Sequence, residues 1–510
     1  MSKSPKKSAQ SAFHGLGFAA TVDALVQEVQ HLYRADAIPW VVGYSGGKDS
    51  TATLELVWLA LQGLPETERT KPVHVISTDT LVENPIVAAW VMNSLNTINE
   101  SALAQHLPIQ PHRLTPTVND SFWVNLIGRG YPAPRHKFRW CTERLKIKPS
   151  NEFITNVVRE NGEAILVLGT RKAESSKRAS VMTRLEGKRL RDRLSPNASL
   201  PNSLVYSPIE NWSDDDVWLF LMQRQNPWGH NNKDLLTMYQ GATEGGECPL
   251  VVDTSTPSCG DSRFGCWVCT LVDQDRSMQA MIQNDEEKEW MLPLLELRNE
   301  LDVKDDRPLR DFRRMSGKVQ LFHNDPIHGP YTQESRENWL RRLLKAQAWV
   351  REHGPDTVRN IELISEAELH EIRRIWVIDK HEIEDSLPGL YQEETSHSFP
   401  GEALDEHLPF GSDEMGILKE ICGNDRMKFE LARELLDIER RFRTKLRRVG
   451  LYDALEDAIR RHFFADKDDA TEHARLRRRV LEVVEPKDVV PELSAVHIEE
   501  PESKAVDLGQ

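Results

Sequence analysis

The sequence predicts an α/β fold with a mostly parallel sheet, a cysteine-rich insert and a helical C-terminal region. Three observations carry this prediction. Short apolar, β-rich runs alternate with helical patterns in the first half of the chain, four cysteines fall in one short stretch, and the pattern beyond about residue 275 is helical and charged. Strands separated by helices form parallel sheets covered on both faces, and such sheets bind ligands at the carboxyl ends of their strands.

The first strand is predicted at residues 40–44, directly before the hexapeptide Ser45-Gly46-Gly47-Lys48-Asp49-Ser50. A helical pattern follows at residues 51–61. Glycines let the backbone approach an anion, the free amides of a helix start point at it, and a lysine adds a full charge. We therefore predict a phosphate-binding loop, with a plain glycine turn and a solvated lysine as the alternative. Its binding residues would be Ser45, Gly46, Gly47, Lys48 and Ser50.

Two further strands are predicted at residues 73–77 and 164–168. The first ends at Thr78-Asp79-Thr80 and the second at Gly169-Thr170-Arg171. Because the carboxyl ends of parallel strands meet at one edge of a sheet, we expect Asp79 and Arg171 to lie beside the phosphate loop.

The cysteine-rich insert holds Cys248, Cys259, Cys266 and Cys269, with the spacing C-x10-C-x6-C-x2-C. Four thiolates from one loop suit either a tetrahedral zinc ion or a [4Fe–4S] cluster. The spacing alone does not choose between the two metals. The loop is long and irregular, unlike the paired knuckles of a zinc ribbon, and this favours the iron–sulfur cluster.

A fifth cysteine, Cys141, stands in the basic segment Arg139-Trp140-Cys141-Thr142-Glu143-Arg144-Leu145-Lys146. Neighbouring cations lower the pKa of a thiol and so raise its thiolate fraction. A thiolate at this place could carry a persulfide. A structural cysteine in a basic, substrate-binding turn is the equal alternative.

The composition bounds the class of protein. The chain has 510 residues, a net charge of -15 and six cysteines, so we expect two or three domains and a reducing, cytoplasmic setting without a membrane. An acidic chain binds nucleic acid poorly unless a local basic face or a partner supplies cations. Four basic segments stand out, and we interpret the last two as solvated helix faces or partner surfaces: residues 135–148, 171–193, 440–448 and 475–479.

The domain organisation follows from these patterns. We expect an N-terminal helical segment, a nucleotide-binding domain, the cysteine-rich loop, a helical region, an acidic linker without Lys or Arg, a second helical region and a disordered acidic tail. Their respective bounds are 1–37, 38–240, 241–275, 276–382, 383–416, 417–484 and 485–510.

Several segments together resemble a known family. They are the phosphate loop, Arg139-Trp140-Cys141-Thr142 with Leu145-Lys146, Gly169-Thr170-Arg171 with Glu174-Ser175, and Pro208-Ile209 with Trp212-Ser213 and Asp216-Val217-Trp218. This set resembles the adenylylsulfate-reductase branch of the PP-loop ATP pyrophosphatases, whose fold is similar to the adenine nucleotide α hydrolases. The long form with Asn226-Pro227-Trp228-Gly229, the four-cysteine loop and Gly329-Pro330-Tyr331-Thr332 resembles the DndC family of DNA phosphorothioation sulfurtransferases.

The resemblance implies an enzyme that splits ATP between the α and β phosphates and inserts sulfur into a DNA backbone phosphate. Its cofactors would be ATP, Mg²⁺ and a [4Fe–4S] cluster, with Lys48, Asp49 and Cys141 as catalytic residues and Asp49 or Asp79 near Mg²⁺. Its partners would be a cysteine desulfurase as sulfur donor, other DNA phosphorothioation proteins, and DNA bound through a complex. An adenylylsulfate-type reductase, an RNA-thiolating enzyme and a nucleotide-gated scaffold are the alternatives.

Overall fold

The computed structural model describes residues 11–189, 191–197, 199–242, 265–401, 411–423, 425–443 and 445–484. Two compact units divide the chain, one comprising Met1–Arg310 with Pro330–Ile417 and the other Asp311–Gly329 with Leu418–Gln510. Most of the helical region expected at 276–382 therefore belongs to the same unit as the sheet.

The described elements follow the predicted alternation. The strands are β1 (Trp40–Gly43), β2 (Val73–Thr78), β3 (Ile109–Leu114), β4 (Ala164–Val167), β5 (Ser195–Pro196), β6 (Ser203–Tyr206), β7 (Leu321–Phe322) and β8 (Asp325–Pro326). The α-helices are α1 (Phe18–Arg34), α2 (Lys48–Gln62), α3 (Pro85–Ala104), α4 (Lys148–Asn161), α5 (Ser176–Glu186), α6 (Asp214–Gln223), α7 (Asn232–Gly241), α8 (Arg276–Asn284), α9 (Leu292–Leu301), α10 (Gln333–His353), α11 (Glu366–Arg374), α12 (Ser386–Thr395), α13 (Ser412–Ile421), α14 (Arg426–Arg443), α15 (Leu451–His462) and α16 (Lys467–Val484).

The first unit is built on a six-stranded sheet in the order β3-β2-β1-β4-β6-β5. All neighbouring pairs are parallel except β5 with β6, which is antiparallel. In the register, Trp40 lies opposite Val73 on one side and Ile165 on the other. The predicted α/β fold with a mostly parallel sheet and a helical C-terminal region is confirmed.

The central strand β1 is buried on both faces. Trp40 and Val42 join the core beneath α1 and α2, whereas Val41 joins the core beneath α4. A strand that is covered on both faces does not need polar residues at every second position, which explains the continuous apolar run of β1.

Helix α2 begins at Lys48, three residues earlier than predicted. Leu54, Val57 and Trp58, which recur at helical spacing in the sequence, are all fully buried. Because most of α2 is enclosed, the loop that precedes it is held by the core.

The acidic segment 383–416 differs from the expected linker, because it contains α12. Leu387 and Leu390 lie three positions apart, share one helix face and are buried, and α12 packs against α10. Residues 402–410 and the expected disordered tail at 485–510 lie outside the described residues.

The second unit has its own small core. Met427, Phe464 and Ala470 are buried together, with Phe312 and Val319 packed against them. No helix among the described residues combines the length and apolar character needed to cross a membrane.

Candidate functional site

The phosphate loop lies between β1 and α2 and is closed by hydrogen bonds of its own. The Ser50 hydroxyl donates to the Gly47 carbonyl oxygen (2.9 Å) and accepts from the Ser45 amide (3.2 Å). Gly46 has a φ of +72°, and a Cβ there would stand 2.6 Å from Cγ2 of Val91. The loop therefore requires glycine at position 46 for both conformation and space, and Ser50 supports the loop from within.

Helix α3 holds the loop from one side. The indole Nε1 of Trp90 donates to the carbonyl oxygen of Gly46 (3.1 Å). The Trp90 ring lies 5.2 Å from the His230 ring, centroid to centroid. His230 is in turn in hydrogen-bond contact with Thr97 through Nε2 (3.1 Å) and with Ser94 through Nδ1 (3.4 Å).

The segment around His230 is anchored on a buried carboxyl group. Glu55 of α2 accepts hydrogen bonds from the side-chain amides of Asn232 (2.8 Å) and Asn226 (3.2 Å) through Oε1. Burial raises the pKa of Glu55 to about 8, and the two asparagines lower it only in part. This carboxyl group is therefore protonated at neutral pH in the folded protein.

Four charged side chains meet at the start of α2. The Arg171 guanidinium is almost wholly buried and donates to Asp49 and to Asp214, at 2.7 Å each. The Lys48 ammonium lies 3.2 Å from Asp214 and 3.6 Å from Asp49. Burial acts to lower the pKa of Lys48, but Asp49, Tyr239 and Asp214 outweigh it and raise the pKa. The loop therefore presents two permanent cations next to two carboxylates.

Asp79 follows β2 and lies at the same edge of the sheet. Its Oδ2 accepts from Nη2 of Arg113 (2.6 Å) and its Oδ1 accepts from the Leu81 amide (2.8 Å). Both candidate Mg²⁺ ligands, Asp49 and Asp79, are thus paired with a guanidinium group.

A cavity of about 680 Å³ opens over the loop. Most of the predicted binding residues line it, namely Ser45, Gly46, Gly47, Lys48, Asp49, Asp79 and Arg171. Ser50 does not line it. The wall also includes Glu83, Lys146, Asp214 and Tyr239, which are not among the predicted site residues.

The segment that carries Cys266 and Cys269 is pinned beside this cavity. Cys266 pairs with Glu83 as an antiparallel bridge, and the Trp267 amide donates to the Val82 carbonyl (2.9 Å). The Cys266 thiol lies 3.3 Å from the Thr80 hydroxyl and 3.7 Å from a Glu83 carboxylate oxygen. Burial and Glu83 together raise the pKa of Cys266 to about 12.

Cys141 lies in the same neighbourhood, directly before the π-helical turn Thr142–Ile147. The predicted lowering of its pKa is wrong, because the net shift is upward. Burial raises the pKa of Cys141 and nearby Cys269 raises it further, and together they outweigh the hydrogen bonds with Thr142 and the charge of Lys146. The structure thus brings Cys141 near Cys269, although the sequence separates them by more than a hundred residues.

The predicted metal ligands are described only in part, since Cys248 and Cys259 lie outside the described residues. The Cys269 amide donates to the Cys266 carbonyl (3.1 Å), and Nε of Arg298 donates to the Cys269 carbonyl (3.0 Å). Within the described ranges, no three His, Cys, Asp or Glu side chains are arranged to hold a metal ion. The donor type, soft thiol sulfur, nevertheless suits iron or zinc.

The site residues that sequence reasoning missed are Glu83, Trp90, Lys146, Asp214 and Tyr239. Lys146 stands inside the basic segment that holds Cys141, Asp214 lies between the quoted segments Trp212-Ser213 and Asp216-Val217-Trp218, and Glu83 follows closely after a predicted strand end. Nothing in the sequence around Trp90 indicates a site residue, since its position looks like any other apolar position of a helix.

Comparisons with known proteins concern the part of the chain that holds the sheet and the phosphate loop. Residues 39–230 match the family model of the phosphoadenosine phosphosulfate reductase domain. An uncharacterized protein of Methanocaldococcus jannaschii is 26% identical over 200 residues, which are 39% of this chain and 35% of that protein. The chain thus spans about a third of the length of this curated relative.

Among solved structures, the phosphate complex of phosphoadenylyl-sulfate reductase from Candida auris is similar at 15% identity. The match covers 41% of this chain and 89% of that one, with a TM-score of 0.26. Residues 39–230 are therefore similar to a phosphoadenosine phosphosulfate reductase domain, in keeping with the coarser part of the resemblance drawn from the sequence.

Proposed function

We propose that this protein is an ATP-dependent sulfurtransferase of the DndC type, which activates a DNA backbone phosphate with release of pyrophosphate and then inserts sulfur. One observation carries the proposal. Glu83 and Lys146 line the cavity over the phosphate loop, and both also shift the pKa of the Cys266 thiol, Glu83 upward and Lys146 downward. A nucleotide bound on the loop would therefore lie beside the same two side chains that interact with this thiol.

The activation step would use the cations of the loop. Gly46, Gly47 and Lys48 line the cavity, and their amides together with the Lys48 ammonium would bind the ATP phosphates. Attack of a nonbridging DNA phosphate oxygen on the α-phosphorus of ATP would form an adenylylated phosphate and release pyrophosphate. Asp49 or Asp79 would hold Mg²⁺ by exchanging its guanidinium partner for the metal, whose charge stabilises the departing pyrophosphate.

The transfer step would use the thiol side of the cavity. Cys141 would accept sulfur from the persulfide of a cysteine desulfurase, and the terminal sulfur of the resulting Cys141 persulfide would attack the activated phosphorus. The P–S bond would form as the P–O bond to AMP breaks. Two equivalents of a thiol reductant would then cleave the remaining S–S bond, which releases the phosphorothioate, regenerates the Cys141 thiol and leaves the reductant as a disulfide. We propose Cys248, Cys259, Cys266 and Cys269 as ligands of a [4Fe–4S] cluster, which would supply electrons when bound.

Pyrophosphate release tests the proposal. Wild-type protein is incubated with ATP, Mg²⁺, duplex DNA, a cysteine desulfurase, cysteine and a thiol reductant, under exclusion of oxygen. We expect release that depends on DNA, and phosphorothioate in the digested product. Lys48→Ala should lower the rate by about 10²–10³-fold, the usual effect of removing a transition-state charge donor. Lys188→Ala, an exposed lysine that does not line the cavity, is the matched control. Equal release from wild type and Lys48→Ala would contradict the proposal.

A reductase is the second candidate, because the matched family model is that of a phosphosulfate reductase domain. Sulfite release from phosphoadenylyl sulfate with a thiol reductant, without pyrophosphate release from ATP, would establish it. Thiolation of RNA with no reaction on DNA would establish the third candidate, an RNA-thiolating enzyme.

A further inference from the structure

The excess of acidic residues almost disappears in the second unit. Residues 311–329 and 418–510 contain 22 Lys and Arg against 23 Asp and Glu, whereas residues 1–310 and 330–417 contain 43 against 57. Between positions 440 and 452 there is no acidic residue, and six are Lys or Arg. The cations are therefore concentrated where α14 leads into α15.

We propose that residues 445–452, here called the basic turn, form a surface that binds the phosphate backbone of duplex DNA. The inference rests on the proposed function for the choice of DNA, and on the basic turn itself for the recognition of a polyanion.

The cations of the basic turn are exposed and have no carboxylate partner among the described residues. Lys445, Arg447 and Arg448 are exposed, and none of them forms an ion pair with another described residue. Farther back on α14, by contrast, Arg440 and Arg441 both pair with Asp437, at 2.7 Å and 2.5 Å. The Lys445 ammonium lies over the Phe442 ring, 4.4 Å from its centroid, and so keeps an exposed charge without a carboxylate. Arg440 and Arg441 thus stabilise the unit, whereas the charges of the basic turn are available to an anionic partner.

Large apolar side chains stand among these cations. Leu446 is fully exposed, and Val449 and Tyr452 are exposed at 83% and 84%. A turn that served only to expose charge to water would not need large apolar side chains. Apolar groups beside cations suit a partner that offers phosphates together with sugars or base edges.

Charge complementarity favours nucleic acid over an acidic protein. Guanidinium groups bind phosphate through paired N–H donors, and each neutralised phosphate releases a condensed counterion. The thirteen consecutive positions 440–452 hold no carboxylate, and such a run suits a uniformly anionic backbone, whereas protein surfaces present both signs of charge. A local basic face also supplies the cations that an acidic protein otherwise lacks for binding DNA.

The test measures DNA affinity of the full chain by fluorescence anisotropy with a labelled duplex at several salt concentrations. The variant is Lys445→Ala/Arg447→Ala/Arg448→Ala. The matched control is Lys304→Ala/Lys345→Ala/Arg359→Ala, three exposed cations of the first unit. Thermal unfolding of both variants should match wild type, because all six side chains are exposed.

We expect the variant to bind DNA at least about tenfold more weakly near 0.1 M salt. The slope of log affinity against log salt should fall by about 2–3, at roughly 0.9 for each phosphate that is no longer neutralised. The control should match wild type in both. Unchanged affinity and slope in the variant would overturn the proposal. Weaker binding of an acidic polypeptide with unchanged DNA binding would overturn it in favour of a protein partner, and tighter binding of duplex RNA would overturn the choice of DNA.

The outcome is separable from that of the proposed function. DNA binding that depends on the basic turn, without any pyrophosphate release, would leave this surface standing and refute the chemistry. DNA-dependent pyrophosphate release with unimpaired DNA binding by the variant would refute the surface and leave the chemistry standing.

Discussion

The Lys146 ammonium lies 3.3 Å from the Glu83 carboxylate, and this ion pair borders both the nucleotide cavity and the Cys266 thiol. Burial acts to lower the pKa of Lys146, but Cys266 and Glu83 outweigh it and raise the pKa. The ammonium is therefore charged at all physiological pH values. A fixed cation at this place would stabilise negative charge on either side, whether on a phosphate or on a sulfur atom.

Replacing Trp90 with Phe should weaken ATP binding. The indole donates to the Gly46 carbonyl, and phenylalanine keeps the ring but lacks the donor. Loss of one such bond corresponds to about 1 kcal/mol, or about fivefold in affinity. Titration calorimetry with ATP measures the change. Trp349→Phe, at a half-exposed tryptophan of α10, should bind like wild type. Equal ATP affinity in all three proteins would show that the indole does not support the loop.

Replacing Gly169 with Ala should displace the start of α2. A Cβ at this position would stand 2.7 Å from the Asp49 carbonyl oxygen, which is backbone and cannot rotate away. We expect a loss of about 1–3 kcal/mol in the free energy of unfolding and weaker ATP binding. Gly187→Ala is the control, because the nearest atom to its Cβ would be 3.7 Å away. Urea unfolding and ATP titration check both, and a Gly169→Ala protein as stable as the control would disprove the close approach.

Replacing Arg298 with Met should loosen the turn after Cys269. The buried guanidinium donates to the carbonyl oxygens of Cys269, Val272 and Asp273. Charge-assisted bonds of this kind contribute about 1.5–3 kcal/mol each, so we expect a fall of at least about 2 kcal/mol in the free energy of unfolding. Iron or zinc content per chain should fall as well. Arg298→Lys should restore little, since a single ammonium cannot reach three carbonyls. Full rescue by lysine would argue for charge alone.

Replacing Glu55 with Gln should change how stability depends on pH. The pKa of Glu55 is raised from 4.5 to about 8, so the folded state holds a proton that the unfolded state releases within this window. The stabilisation from this group is complete below pH 4.5, is lost as pH rises toward 8, and is absent above it, at about 1.4 kcal/mol per pH unit. Glutamine cannot ionise and still accepts from Asn226 and Asn232.

Urea unfolding at about pH 5, 6.5 and 8 measures this effect. The difference in free energy of unfolding, Glu55→Gln minus wild type, should grow with pH. Glu100→Gln, an exposed glutamate of α3, is the control and should run parallel to wild type. If Glu55→Gln also ran parallel, Glu55 would titrate normally in the folded protein.

Local and periodic features of the sequence account for the sheet and the loop. The spacing of Leu54, Val57 and Trp58 predicts α2, and all three are buried. The convergence of Asp79 and Arg171 on the loop follows from the rule that parallel strands end at one edge, and both line the cavity. Such features are predictable because backbone geometry and strand direction alone determine them.

The tertiary structure alone decided which cysteines and which of their neighbours lie beside the nucleotide cavity. The approach of Cys141 to Cys269, the bridge between Glu83 and Cys266, and the bond from Trp90 to Gly46 all join distant segments whose packing no local pattern encodes. The cations around Cys141 are visible in the sequence, but its burial is not, so the direction of its pKa shift was wrongly predicted. Charge is a property of residue type, whereas desolvation exists only once the chain has folded around the group.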